Sequence, residues 1–347
     1  MKIFENFNYQ IGVDLGTVNT LVYLKGSGII VSEPTIIAIN NKTGQIVAVG
    51  AEAKRMLDRS PQHITVVRPI QGGVVSDFEM TGEIMKHHLE KLKNGFFSRC
   101  GLAVLAVPSN MTEVERKSAE DVLLSAGVSK VYLVEIPIAA ALGANLPINE
   151  PTANMIINIG GGTTEMAIIS VGGSVTSRSL KVAGDKMNED IIKYIKDEFH
   201  LAIGEPTAEE IKIRIGSAIT VDEKLEMTIR GRDLSSGLPK EVMVKNSHVR
   251  LAITKSLKTI ADAARGLIEE CPPELVGDIL EKGIYLSGGG SLLRGIERHI
   301  EKETTVKTNL IAEPQTCVIR GLGDIVEDFD KYERMLASQA RPREVTL

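Results

Sequence analysis

The chain has no tryptophan, only 4% aromatic residues and three cysteines in 347 positions. With so few rings the core must be aliphatic, which suits a soluble α/β protein. Cys100, Cys271 and Cys317 are an odd, scattered set. That pattern excludes a disulfide framework and metal-ligand spacing, and it fits buried thiols in a reducing compartment, the cytoplasm. No apolar run approaches the roughly 18 residues of a spanning helix, and the charged start MKIFENFNYQ lacks the apolar centre of a signal peptide. Neither insertion nor export by these routes is expected. Basic residues are dispersed and the formal net charge is -5, so there is no electrostatic footprint for nucleic acid. There is no Walker A sequence and no dinucleotide fingerprint after a first strand. His87 and His88 are adjacent on a predicted helix, with their rings about 100° apart, so a surface or core role is expected rather than a metal site.

What is present begins with MIINIGGGTTEMAIIS at 155–170, an apolar strand, a glycine turn and a strand of alternating character. Gly160, Gly161 and Gly162 put no Cβ in the way of an anion approaching their N–H groups, and Thr163 and Thr164 add hydroxyls. Alone, such a motif reads equally well as an ordinary glycine-rich hairpin. It is not alone, because IGVDLGTVNTLVYL at 11–24 repeats the same order. After the first hairpin come further β segments to 49, a buried strand at 102–107, a helix over 112–126 opening with the capping-box pair Thr112 and Glu115, a strand at 130–134 and a helix over 137–144. After the second come a strand to 180 and a helix from 184 that carries Met187, Ile191, Ile195 and Phe199 on one face. A helix over 206–215, two strands within 225–245 and a long helix over 247–270 follow. The pattern then closes with a strand at 284–287, a third glycine turn, a helix over 291–303, a strand at 307–311 and a helix over 314–328; from 337 the polar tail is expected to be mobile. Strand and helix alternate as in sheets covered by helices, and the length exceeds what one core supports.

The segments IGVDLGTVNT, NIGGGTTE, SGGGSLLRG and GEPTAEEIKIRIG, with VRPIQGGVVSDFE, GANLPINEP, VAGDKMNEDI, GRDLSSGLP and CPPEL between them, resemble the bacterial actin-like proteins of the MreB group along nearly the whole chain. The resemblance implies an α/β actin-like fold, that of actin, Hsp70 and sugar kinases, built from two duplicated RNase H-like domains. The first would span 1–145, with 314–347 returning to it and a small subdomain inserted at about 33–75. The second would span 146–313 with an insertion at about 182–247. ATP or ADP with Mg²⁺ is implied in the cleft. So are paired homopolymer protofilaments, peripheral attachment to the inner face of the cytoplasmic membrane, a part in cell shape, and contacts with paralogues and cell-wall or motility machinery.

Carried over by motif, Asp14, Gly16, Thr17, Val18 and Asn19 would hold phosphate from one side, and Gly160, Gly161, Gly162, Thr163 and Thr164 from the other. Glu209 and Lys212 would reach ribose and adenine, and Gly288, Gly289, Gly290 and Ser291 would let the base lie against backbone. From spacing alone, Glu209 and Lys212 read more readily as a solvated ion pair. The resemblance makes Asp14 and Asn158 the residues that hold the metal through water, and Thr163 the residue that orients the attacking water. Two positions depart from the family pattern. Ile136 stands in Val134-Glu135-Ile136-Pro137 where the family's catalytic glutamate is expected, and Asn158 stands where an aspartate is expected. Hydrolysis is therefore expected to be weak. Glu135 is the neighbouring substitute, but adjacent residues entering a helix point in different directions. A small-molecule kinase or an Hsp70-like ATPase of the same superfamily is the alternative; the first needs an acceptor pocket and the second a substrate domain beyond the core.

Phe96 and Phe97 follow the Asn94-Gly95 turn, where two adjacent rings are expensive to expose. They read either as a membrane-inserting tip, aided by Ile3, Phe4 and Phe7, or as rings folded back into the core. On the first reading, replacing both by serine should weaken co-sedimentation with anionic vesicles about tenfold or more, since burying one Phe side chain is worth roughly 1.5–3 kcal/mol. Undiminished lipid binding would exclude this loop.

Overall fold

The computed structural model describes residues 8–92, 99–221 and 224–339. Ile3, Phe4, Phe7, Phe96, Phe97 and the last eight positions of the tail lie outside the described residues.

Two five-stranded sheets repeat one plan. In the first, the central strand Asn8–Leu15 pairs antiparallel with Asn19–Leu24, which pairs with Gly28–Pro34; on its other side it runs parallel to Arg99–Val107, and Val131–Glu135 follows. In the second, Asn154–Ile159 pairs antiparallel with Thr164–Ser170, then Gly173–Leu180, and parallel with Ile284–Ser287, then Thr308–Leu310. A short hairpin needs only a turn, whereas a parallel neighbour needs a crossover, and this is why each meander is contiguous in sequence while each parallel strand arrives later. Every residue of Asn154–Ile159 is buried, the two asparagines included, as a largely apolar strand covered on both faces is.

Each sheet carries an insertion. The first holds a three-stranded sheet of Ile37–Asn40, Ile46–Val49 and Ile64–Val67 with the helix Ala51–Met56, closed on a small core of Ile36, Ala38, Ala48 and Ala53. The second holds Leu201–Ala202, Glu226–Asp233 and Pro239–Lys245 with the helix Glu205–Ile215. The amphipathic helix Gly184–Phe199 buries Met187, Ile191 and Ile195 against the second core.

Two helices lie between the sheets, Ile136–Gly143 and Cys317–Glu327. Their shared core takes Leu21, Val104 and Ala106 from the first sheet and Ile156, Ala167 and Ile169 from the second. They cross almost backbone to backbone: a Cβ on Gly143 would lie 1.9 Å from the Cys317 carbonyl oxygen, and one on Gly321 would lie 1.8 Å from that of Ala139. At the same crossing the Cys317 thiol donates to the Ala140 carbonyl at 3.1 Å.

The expected capping box is present, with Thr112 Oγ1 accepting from the Glu115 N–H and the Glu115 carboxylate from the Thr112 N–H. Three expectations need correction. The single helix expected over 291–303 is a 3₁₀ turn Gly289–Leu292 and a separate helix Ile296–Thr304, because Gly295 takes φ 72°, which no helix interior accommodates. The helix expected from 314 begins as the 3₁₀ turn Pro314–Thr316 before Cys317–Glu327. The tail expected to be mobile from 337 is helical as far as Gln339, as the end of the helix Phe329–Gln339, which buries Tyr332 and Leu336. His88 is a core residue; burial pushes its imidazole down to about 4.

The helix crossing makes a sharp expectation. Gly321→Ala should destabilise the protein by about 3 kcal/mol, the upper part of the range for overpacking a core, because the obstacle is backbone rather than a mobile side chain. Chemical denaturation measures it, and a loss below about 0.5 kcal/mol, the size of an ordinary surface substitution, would show that the helices separate freely.

Candidate functional site

A cleft of about 920 Å³ opens between the two sheets, within the range of ligand pockets. Both duplicated hairpins turn into it. In the first, the Gly16 N–H donates to the Asn19 carbonyl at 3.0 Å, and the Thr35 hydroxyl donates to the Gly16 carbonyl at 2.7 Å, so the turn is tied at both ends. The Thr17 hydroxyl accepts from the Gly73 N–H at 3.0 Å. In the second, the Gly160 N–H donates to the Thr163 carbonyl at 2.9 Å, while the Gly161 carbonyl accepts from the Asp185 N–H at 2.8 Å, at the start of the helix Gly184–Phe199.

The two turns meet at a separation only glycine permits. A Cβ on Gly161 would lie 2.1 Å from Val18 Cγ2, and one on Gly162 would lie 2.3 Å from Thr17 Oγ1. The third glycine turn packs behind them, with Gly288 at φ 82° and no room for a Cβ beside the Ile159 carbonyl at 2.3 Å. This is a cradle of backbone with small hydroxyls, the surface that best accepts a polyanion.

Asp14, Gly16, Thr17, Val18, Asn19, Ile136, Asn158, Gly160, Gly161, Gly162, Thr163, Glu209, Lys212, Gly288, Gly289 and Gly290 all line the cleft. Thr164 and Ser291 do not. Thr163 and Thr164 face opposite ways, as successive residues of an extended chain must, and the Thr164 hydroxyl donates to the Val182 carbonyl at 2.7 Å. The Ser291 hydroxyl folds back onto the Gly288 carbonyl at 2.6 Å. Glu135 is also outside the cleft wall, and its carboxylate accepts from the Ser174 hydroxyl at 2.9 Å.

Glu209 and Lys212 form an ion pair with the lysine mostly buried and the carboxylate half-exposed. Lys212 Nζ donates to Glu209 at 2.6 Å and to the Gly184 carbonyl at 2.9 Å, and Asn188 donates to the same carboxylate at 2.6 Å. Burial opposes the Glu209 charge, yet Lys212 and Asn188 hold its carboxyl below the usual range. The cleft also includes residues to which the sequence reading assigned no role. Lys54, Arg55, Arg59 and Arg68 on one lip face Glu205 and Glu209 on the other, and Arg68 pairs with Glu205 across the mouth at 2.7 Å. Arg68 lies in the VRPIQGG segment, which carried the resemblance without marking a charge as site-facing.

Asp14 stands at the floor, where desolvation pushes its carboxyl up to about 7. Asn158 is buried, and its side-chain oxygen accepts from the Ser287 hydroxyl at 2.9 Å. Among the described residues no cluster of three or more His, Cys, Asp or Glu could hold a metal alone. One carboxylate with ligand oxygens and waters is nevertheless an ordinary donor set for Mg²⁺, and Asp14 fits it.

The model of the MreB/Mbl protein family matches residues 8–334. The chain belongs to the MreB/Mbl family. It is 42% identical over 329 residues to the cell shape-determining protein Mbl of Bacillus subtilis (strain 168), covering 94% of this chain and 98% of the relative. It is 41% identical over 338 residues to the cell shape-determining protein MreB of Escherichia coli (strain K12), covering 96% and 97%. Among solved structures, MreB5 of Spiroplasma citri bound to AMPPNP superimposes with a TM-score of 0.90 at 38% identity, over 94% of this chain and 98% of that one. The MamK double helical filament superimposes with a TM-score of 0.80 at 21% identity, over 92% and 99%, a likeness of fold. The fold is thus the actin-like one expected, a duplicated pair of domains each with its insertion.

Within this MreB/Mbl fold, Asp14 is a partly buried acid with a raised affinity for its proton. Its folded value of about 7 lies above the ordinary 3.8, so folding favours the protonated form. Its contribution to ligand-free stability is therefore best at low pH and declines as pH rises from about 4 to about 7. Asp14→Asn should raise ligand-free stability by a margin that grows by about 2.7 kcal/mol between pH 5 and pH 8, since the growth runs over about two pH units and each is worth about 1.4 kcal/mol. Thermal denaturation at the two pH values measures this; a margin that does not change with pH would show that Asp14 is already ionised.

Proposed function

We propose that this chain binds ATP with Mg²⁺ in the cleft, hydrolyses it slowly, and polymerises into paired, membrane-associated filaments that set or maintain cell shape. The observation that carries the reading is the approach of the two glycine hairpins from opposite sheets, which makes one backbone cradle out of both halves of the chain. The relatives' names support the cell-shape role, and MreB5 of Spiroplasma citri, solved with AMPPNP and with ADP, supports a nucleotide in this cleft.

In this reading Gly161 and Gly162 present backbone N–H groups to phosphate, Gly16 and Gly160 shape the two turns with their own N–H groups engaged by Asn19 and Thr163, and Thr17 and Thr163 add hydroxyls. Glu209 and Lys212, held to each other and to Gly184, face the ribose and base, while Gly288, Gly289 and Gly290 let the base lie flat. Asp14 would hold the Mg²⁺, which supplies charge neutralisation at the phosphate oxygens when bound. The moving bodies would be 1–145 with 314–347, and 146–313, hinged at the crossed helices. Attachment to the inner face of the membrane would be through Phe96 and Phe97.

Slow turnover follows from Ile136. A water attacking a phosphate must be oriented and relieved of a proton, and a hydrocarbon side chain in the cleft wall does neither; a missing general base costs about 10²- to 10⁴-fold in rate. Glu135 is turned away onto Ser174. The Asn158 oxygen is engaged by Ser287 and carries no charge to help hold a cation.

Micromolar protein with Mg²⁺ and ATP should pellet on high-speed centrifugation; folded protein that stays monomeric across nucleotide and salt conditions would overturn the filament reading. Phosphate release from the same preparations should rise about 10²-fold or more from wild type to Ile136→Glu/Asn158→Asp, with Ile136→Glu supplying most of the gain. A wild-type rate equal to that of the double variant would end the slow-hydrolysis reading.

A further inference from the structure

The pair Glu209 and Lys212 is braced by a side chain to which the proposed chemistry gives no role. Asn188, on the helix Gly184–Phe199, is 2% exposed and stands outside the cleft wall. Its amide nitrogen donates to Glu209 Oε2 at 2.6 Å, and Lys212 Nζ donates to that same oxygen at 2.6 Å. Both anchors therefore fall on one oxygen. Glu209 Oε1 takes no hydrogen bond among the described residues, and it belongs to a cleft-lining side chain that is 42% exposed. Lys212 is fixed in turn by the Gly184 carbonyl at 2.9 Å, one helical turn before Asn188, so a single turn of helix supplies one anchor and steadies the other. The amide oxygen of Asn188 is the anomaly, being buried and accepting from nothing. An unsatisfied buried acceptor is destabilising, and an apolar side chain of the same forked shape would fill the place without it.

We propose that Asn188 is a positioning residue for sugar recognition, which together with Lys212 pins Glu209 Oε2 and so presents Oε1 to the cleft as a charged acceptor for one of the vicinal hydroxyls of a ribose. This role rests on reading the cleft as an ATP site. An ionised carboxylate only accepts, and a sugar hydroxyl can donate to it. A sugar without that hydroxyl leaves the charge unpaired, which is where discrimination comes from. The last torsion of a glutamate lies in a broad two-fold well, so a carboxylate with one anchor can turn and exchange its oxygens. Two donors on the same oxygen decide which oxygen meets the ligand. The unsatisfied oxygen of Asn188 is then the inseparable other half of a donor that the site uses, a local rule broken for the sake of function.

The first arm of the test needs no nucleotide. In full-length protein labelled with ¹⁵N at asparagine side chains, the Asn188 amide signal, assigned by its loss in Asn188→Leu, should shift in Glu209→Ala, which removes the acceptor. A signal unmoved by that substitution overturns the proposal, whatever the cleft binds. The second arm compares the affinities of ATP and 2′,3′-dideoxy-ATP, each with Mg²⁺, by displacement of an ATP analogue that carries its fluorophore on the γ-phosphate. Wild type should favour ATP by about tenfold or more, the order of one hydrogen bond to a charged group. Asn188→Leu should bring that preference down to about threefold or less by weakening ATP, while the dideoxy analogue stays within about twofold of its wild-type affinity. Asn188→Ala, which lacks the donor and adds no bulk, should give the same split. A parallel loss of both ligands in both variants would show a packing residue and overturn the proposal. So would a wild type that binds ATP and its dideoxy analogue equally, and that result would leave the ATP reading intact. A wild type that binds neither nucleotide would remove the ATP reading, and the sugar role with it.

Discussion

The distance between two glycine turns governs this molecule. Gly161 and Gly162 meet Val18 and Thr17 so closely that a single methyl group on either glycine would collide with those side chains. Because the turns belong to different sheets, that contact sets the width of the cleft and the angle at which the halves face each other. The cleft lined around that contact runs from Asp14 at the floor to the Arg68–Glu205 pair at the mouth.

The crossing of Ile136–Gly143 with Cys317–Glu327 is the other place where backbone meets backbone. It uses the same device, glycine opposite carbonyl, but in an apolar layer rather than a polar one. The helix Cys317–Glu327 lies in the core that the first sheet shares with the second. The Arg68–Glu205 bridge at the opposite end is partly exposed and worth at most about 1 kcal/mol.

Polar groups inside this frame are placed at some cost to stability. Desolvation raises both Asp14 and Glu165, and neither has a salt-bridge partner among the described residues. Glu165 is compensated by hydrogen bonds from the Ser179 hydroxyl and the Ser109 N–H; for Asp14, desolvation is the dominant influence. An acid held in that state gains from a cation, so ligand affinity and ligand-free stability oppose each other at this position. Ile136 and Asn158, being neutral, remove two further charges from the same floor.

Much of the frame was legible in the chain itself. The glycine turns, the alternation of the flanking strands, the apolar runs of the parallel strands and the Thr112–Glu115 box are local patterns, and a local pattern survives translation into local structure. The backbone cradle was legible for the same reason, since Asp14 and Gly160 to Gly162 sit in turns that their own neighbours define. What required tertiary structure were the facts that depend on packing between distant segments. Register sends Thr163 into the cleft and Thr164 onto Val182, although both follow the same glycines. Gly295 breaks a helix because its backbone must turn left-handed, in a place where Ile219 leaves no room for a Cβ. Lys54, Arg55, Arg59, Arg68 and Glu205 look like any solvated charges in sequence and become cleft residues when the two insertions face each other. Glu165 reads as the polar end of a motif, and it becomes a buried junction once Ser109, 56 positions earlier, is folded against it. Chain neighbours determine the turns and strands; which side chains share a site is decided by the meeting of two sheets, and no stretch of sequence contains both.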